Sequence, residues 1–556
     1  MTRFDGKAAR RRGRIVVTAA VAAVVVLGAG LVGCSGGDSG TPGTTGPRRG
    51  GTLRVGVTDV ASLDPASVSA EPGAATVYGL FSEPLVRAEP GTGEPAPGLA
   101  ARWKADPKQT KFTFTLRRGA RFSDGTPVRA ADVKATLDRV AAKATKSPVA
   151  HLLDVVVGYE EARKGTKPGL AGITAPDPST VTVALRLPLA SFPSRLANPG
   201  LGILAASSLP KAKTAPVGSG PFRIEGRPEV EVGGRVVFRR SDRRAFLDRV
   251  VVRIYASAAA AEKAYTGGDL DVAPLVRDEA TPDSALTVPP PSPKVATTTT
   301  EPPPPPSGDV VSAPFRAVGY YELNLKNPKF ADARFRQAII RALDERRVAT
   351  SVYGGRVRAM GGLVPAGVPG GPSERCEGLC DHDPAAARKL LAKAFPGGKV
   401  PTVAIDFDES PTQRALARAA VSQLKAVGIP AVLRPHVPKD YANFLVNGKP
   451  ELFRFGWVAD TLTERAFLTP AFLSRAPENV ARVGPAGDAA IDAAAKVATP
   501  SKRRELYGQA EKAILSQFAV KPLVQLQTRL ITSPKVDGLR LDGFGAFDAA
   551  AVHLAS

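Results

Sequence analysis

The chain has 556 residues, too many for one ordinary core, so two or more lobes are expected. Its hydrophobic content of 43% and charged content of 23% suit a soluble globular protein, whereas a formal charge of +23 at pH 7 is unusual. Scattered Arg supplies much of that excess, without zinc-finger spacing or an aromatic stripe beside basic residues, so nucleic acid is disfavoured and attraction to an anionic outer membrane face is favoured.

The first segment is basic (Arg3, Lys7, Arg10, Arg11, Arg12, Arg14), and Ile15 to Val32 is almost uninterrupted Val, Ala, Leu and Gly. That order marks a signal peptide over residues 1–33. Its ending, Leu31-Val32-Gly33-Cys34, resembles a lipobox, which implies that Cys34 becomes an acylated mature N-terminus. The alternative is a retained transmembrane helix, since about eighteen apolar residues just span a bilayer. Residues 34–50 have the Gly/Ser/Thr/Pro composition of a flexible tether. The product is expected at the outer face of the cytoplasmic membrane.

Along the folded part, Leu53 to Val57 alternates as a strand, Ser62-Leu63-Asp64-Pro65 turns, and Ala75 to Leu80 forms a helix. Phe112, Phe114 and Leu116 alternate with polar neighbours as a half-buried strand. Asp124-Gly125 then turns, and Ala130, Val133, Leu137 and Val140 carry a helix at three- and four-residue steps. Val181, Val183 and Leu185 follow the Asp177-Pro178 turn as a strand. Gly218 and Gly220 feed a strand at Phe222 and bind no phosphate, since no Lys-Ser/Thr or helix start follows them. Val250 to Tyr255 is a strand and Ala258 to Tyr265 a helix.

Thr287 to Ser307 is a Pro/Thr-rich insertion without the apolar content for a core, either a docking or glycosylation arm or a solvated loop. From Phe315 the pattern resumes with a strand through Tyr321 and Leu323 and a helix with Phe335, Ile339 and Leu343 inside. Asp383 to Ala394 is a further helix. Val403–Phe407, Gln413–Val427 and Ala431–His436 make a strand–helix–strand crossover. Ser501 to Phe518 is a long helix, and Pro522 to Ile531 is a strand returning to the first lobe.

Leu116, Arg117, Gly119, Phe122, Asp124, Gly125, Pro127, Ala130, Asp132 and Val133 fall in the order L-R-x-G-x-x-F-x-D-G-x-P-x-x-A-x-D-V. That string resembles the signature of the family 5 solute-binding proteins of ABC importers, the dipeptide, oligopeptide and nickel binders. Glu83-Pro84-Leu85-Val86, the run Pro216 to Ile224, the helix from Asp332 to Asp344 and Arg504, Leu506 and Tyr507 resemble further family segments. Arg129 departs from the pattern, standing where the family often has a Thr helix cap.

The resemblance implies an α/β, two-lobed periplasmic-binding-protein fold of the large, peptide-binding (cluster C-like) type with the ligand cleft between lobes. Lobe I would comprise residues 51–286 and 521–556, and lobe II residues 315–520. The partners implied are a peptide or other small solute, an ABC permease with its ATPase subunits, and the membrane through the N-terminal lipid. A monomer without cofactor is expected. A nickel chelate or a sugar as ligand, and a ligand-sensing lipoprotein not coupled to transport, stay open.

The run Leu452 to Asp460, LFRFGWVAD, resembles the family strand ending G-W-x-x-D, here Gly456, Trp457 and Asp460. The resemblance implies that Asp460 meets a ligand ammonium and that backbone beside Gly456 and Val458 extends a bound peptide as another strand. Arg454 matches a basic position that faces a ligand carboxylate. Alternatively, Asp460 merely precedes a helix, because Thr461-Leu462-Thr463-Glu464 spells a capping box. Outside the membrane, Cys376 and Cys380 are expected to form a disulfide, the alternative being a metal site with His382. The folded part carries no G-x-S-x-G or H-E-x-x-H and no S-x-x-K with its partner motifs, so catalysis is not expected.

Overall fold

The computed structural model describes residues 47, 49–58, 60–67, 71–275, 308–376 and 378–555. The signal peptide, Cys34, most of the tether and the Pro/Thr-rich insertion lie outside the described residues.

Strand β1 (Thr52–Val57) opens the chain and pairs in parallel with Arg249–Ile254, so its alternating Leu53, Val55 and Val57 enter one core. Helix α1 (Ala130–Ala141) packs on a four-stranded sheet of Ala100–Ala105, Lys111–Leu116, Thr180–Ala184 and Ile173–Asp177. Its stripe Ala130, Val133, Leu137 and Val140 is buried, as are Phe112, Phe114 and Leu116 beneath it. Each such side chain contributes on the order of 1.5–3 kcal/mol when fully buried. Arg129 is extended and its side chain caps nothing; Asp132 instead accepts from the Arg129 N–H at 3.0 Å.

The long strand β2 (Asp309–Leu323) begins six residues ahead of Phe315, because Asp309 to Pro314 already pair with the end of the last long strand. Strand β3 (Val403–Asp408), helix α2 (Pro411–Ala426) and strand β4 (Ala431–His436) form the expected crossover, with β3 and β4 parallel. Strand β5 (Leu452–Val458) follows, then helix α3 (Glu464–Phe472) and helix α4 (Pro500–Leu515). Helix α4 stops short of Phe518, whose φ of 50° no α-helix accepts. Strand β6 (Val520–Thr532) returns to the first core.

Among the described residues these strands join one eleven-stranded sheet, with β4, β3, β5, β2 and β6 in that order at one side. On the far side of β6 come Val272–Pro274, β1, Arg249–Ile254, Arg235–Arg240 and Phe222–Glu225. The antiparallel pair β2–β6 is therefore the span that carries the sheet from one end to the other.

That pair is interrupted at a defined point. Pro314 faces Gln527 and Val318 faces Gln525, so Phe315, Arg316 and Ala317 stand opposite Leu526 alone. A bulge re-aims the backbone locally. Gln525, 1% exposed, fills the gap: its Nε2 donates to Phe315 O at 2.9 Å and Ala366 O at 2.8 Å, and its Oε1 accepts from Ala366 N at 2.9 Å. The Arg316 guanidinium lies against the Phe315 and Phe544 rings, 4.6 and 5.1 Å from their centroids.

Candidate functional site

The run from Arg454 to Asp460 is placed by its two neighbours. On one side β5 pairs with β2 along its length, from Leu323↔Leu452 to Ala317↔Val458. On the other side β3 pairs with it only at Leu452 and Phe453 and ends at Asp408. The β5 main chain beyond is left as a sheet edge, a template for an added strand. The bulge then steers the chain leaving β5, since the Arg316 carbonyl accepts from Ala459 N at 3.0 Å.

Side chains alternate along this edge. Arg454 and Gly456 share a face, and a Cβ on Gly456 would lie 2.8 Å from Arg454 Nη2, so the glycine makes room for the guanidinium. Arg454 Nη1 stands 3.8 Å from Asp408 Oδ1. The buried Tyr441 hydroxyl lies 2.7 Å from Arg454 O and 3.0 Å from Asp406 O, its single proton serving one of them at a time. Burial pushes that phenol far up from its ordinary value. Trp457 points to the other face, half-buried, and donates from Nε1 to Ala466 O at 2.8 Å, tying the strand to α3. Val458 is exposed.

Asp460 does not cap α3. Thr463 does, accepting from Ala466 N at 3.3 Å, so the cap sits two residues after Thr461 and three after Asp460. The Asp460 carboxylate is therefore free of the helix and faces His151, with Oδ2 2.9 Å from Nε2. Its main-chain carbonyl accepts from Asn198 Nδ2 at 2.8 Å. Both partners lie far away in sequence, and neither was expected from the sequence. No spacing signals a contact over such separations; a His beside the Pro148 turn is all the string offers.

Further contacts tie this part of the chain to segments on either side of it in sequence. Arg504 of α4 pairs with Glu94 at 3.0 Å, Ala190 N donates to Ala495 O at 3.0 Å, and a Cβ on Gly543 would lie 2.7 Å from Leu462. Beside Asp460, Ala197 and Pro199 flank Asn198 and help line a cavity of about 430 Å³ that also takes in Tyr78, Glu83, Arg244 and Phe547.

Cys376 and Cys380 are joined as a disulfide with their Cα atoms 4.7 Å apart, while His382 lies 3.9 Å from Asp344. Among the described residues no group of three or more His, Cys, Asp or Glu is placed to hold a metal ion. Among them, too, no helix is long and apolar enough to cross a membrane.

Residues 94–479 match the family described as bacterial extracellular solute-binding proteins, family 5. The chain is similar to the periplasmic oligopeptide-binding protein OppA of Escherichia coli (strain K12), 27% identical over 509 residues that cover 87% of this chain and 89% of that one. It is likewise similar to the periplasmic murein peptide-binding protein MppA of the same strain, 27% identical over 498 residues, 86% and 88% of the two chains. A solved structure of MppA in its unliganded open form superposes with a TM-score of 0.76 at 24% identity, covering 93% of this chain and 99% of that one.

Proposed function

Since this chain belongs to the family 5 bacterial extracellular solute-binding proteins, we propose that it captures peptides outside the membrane and delivers them unaltered to an ABC importer. The observation that carries this reading is the β5 edge from Phe455 to Val458, beyond the pairing with β3, which leads to Asp460. A peptide laid along that edge makes main-chain hydrogen bonds as an extra strand, which holds it without regard to side chains. Its ammonium meets the Asp460 carboxylate, a charge-assisted bond that strengthens when the cleft excludes water. Arg454 takes up a ligand carboxylate. The names of the relatives, oligopeptide- and murein peptide-binding proteins, support peptide as the ligand class.

In this reading residues 51–286 with 521–556 form one lobe and 315–520 the other. They hinge on the β2–β6 span, where the bulge at Phe315 to Ala317 concentrates flexure. A lipid on Cys34 tethers the protein to the outer membrane face, and a permease with its ATPase subunits receives the closed form. Mass spectrometry of ligand released from protein purified out of its own cells tests this. Peptides at about one per chain are expected; a co-purified sugar, bile acid or metal chelate in their place would remove peptide as the ligand class.

A further inference from the structure

Each nitrogen of the His151 ring faces an acceptor. Nδ1 lies 2.9 Å from Pro148 O, and Nε2 lies 2.9 Å from Asp460 Oδ2. A neutral imidazole carries one proton and would aim a bare lone pair at one of those oxygens; only the imidazolium donates to both. The ring is held for this. Its turn is anchored by buried Ala150, Leu152 and Leu153, and Arg195 Nη1 donates to Leu152 O at 3.1 Å. Among the described residues, the charged groups around the ring are Asp460, Arg195 and, bonded to Arg195, Asp154. The last two are paired with each other, which leaves Asp460 as the acid that answers His151.

We propose that His151 is a specificity-determining residue of this cleft: as an imidazolium it occupies the Asp460 carboxylate until a ligand ammonium replaces it, so amine-bearing ligands bind more tightly once His151 is neutral. This rests on Asp460 receiving the ligand's amine. The hydrogen bond to Asp460 raises the imidazole above its ordinary value in the ligand-free protein, against burial and the Arg195 charge, which lower it. A second cation on the same carboxylate favours the neutral ring, so binding releases the His151 proton. Affinity therefore climbs as pH rises through the His151 titration, by at most about tenfold per pH unit. It turns down again near pH ~8, where the ligand's own α-amino group loses its proton.

The test is calorimetric titration with a random tripeptide pool between pH ~5.5 and ~7.5, for wild type, His151→Gln and Asp460→Asn. Wild type should bind about five- to tenfold more weakly at the acid end, and His151→Gln should lose that slope and outbind wild type there. Imidazole NMR on the ligand-free protein, which has four His, should show the His151 titration falling in Asp460→Asn and falling again in wild type when the pool is added. A His151→Gln profile as steep as wild type, or an imidazole indifferent to Asp460→Asn, overturns the proposal alone. A pool that binds at no pH, or binds Asp460→Asn as well as wild type, removes the peptide or Asp460 reading and this inference with it.

Discussion

Asn198 Nδ2 donates to the Asp460 main-chain carbonyl at 2.8 Å, so the acid is positioned through its backbone while its carboxylate faces His151. The same amide's Oδ1 accepts from Gly200 N at 2.8 Å, and Asn198 is 3% exposed. Asn198→Ala should therefore lose roughly 1–3 kcal/mol of stability, because a buried and a partly buried backbone group lose their partner. Tripeptide affinity should also fall several-fold as Asp460 becomes less fixed. A thermal melt and a binding isotherm both at wild-type values would mean the contact positions nothing.

Gln525 is a second positioning residue, bonded to Phe315 O and to both backbone groups of Ala366 across the bulge in the β2–β6 span. Gln525→Leu keeps much of the volume but strands three buried polar groups. A cost of about 2–4 kcal/mol is expected in urea unfolding. Faster amide exchange should appear at Phe315 to Ala317 before it appears elsewhere in the sheet.

Glu464, at the start of α3, is buried, and burial pushes its carboxyl up to about 7, with Glu94 adding to the rise and Arg503 and Arg504 opposing it. Between the ordinary carboxyl value and about 7 the folded chain holds a proton that the unfolded chain has released. Stability thus declines as pH rises through that window. Glu464→Gln removes the decline. The variant should gain on wild type from pH ~4.5 to ~7, by on the order of 2–3 kcal/mol, and keep that lead at higher pH. Asp542, pushed up to about 6 by burial, leaves a smaller residual slope in both proteins. Parallel pH–stability curves for the two proteins would contradict the assignment.

Local chemistry was legible in the sequence wherever it is decided within a few residues. The helix at Val133 and Leu137 and the crossover from Val403 to His436 stand where the sequence pattern puts them, and the strand Leu452–Val458 stands where the family resemblance puts it. The α3 cap was misplaced by two residues because Thr461 and Thr463 both fit the cap pattern, and packing of Trp457 against Ala466 selects the second. What makes β5 an open edge was not legible, for it depends on β3 ending at Asp408, a property of a neighbouring strand. His151 and Asn198 were invisible for the same reason: their meeting with Asp460 spans about three hundred residues of chain, and only the folded sheet brings them together.

The most direct measurement of the central claim is the affinity of the random tripeptide pool for wild type beside Asp460→Asn at pH ~7.5. The account predicts one peptide per wild-type chain and a weakening of ten- to a hundredfold in the variant, about 1.4–2.8 kcal/mol. Equal affinity in the two proteins, or a wild type that takes up no peptide, would contradict it.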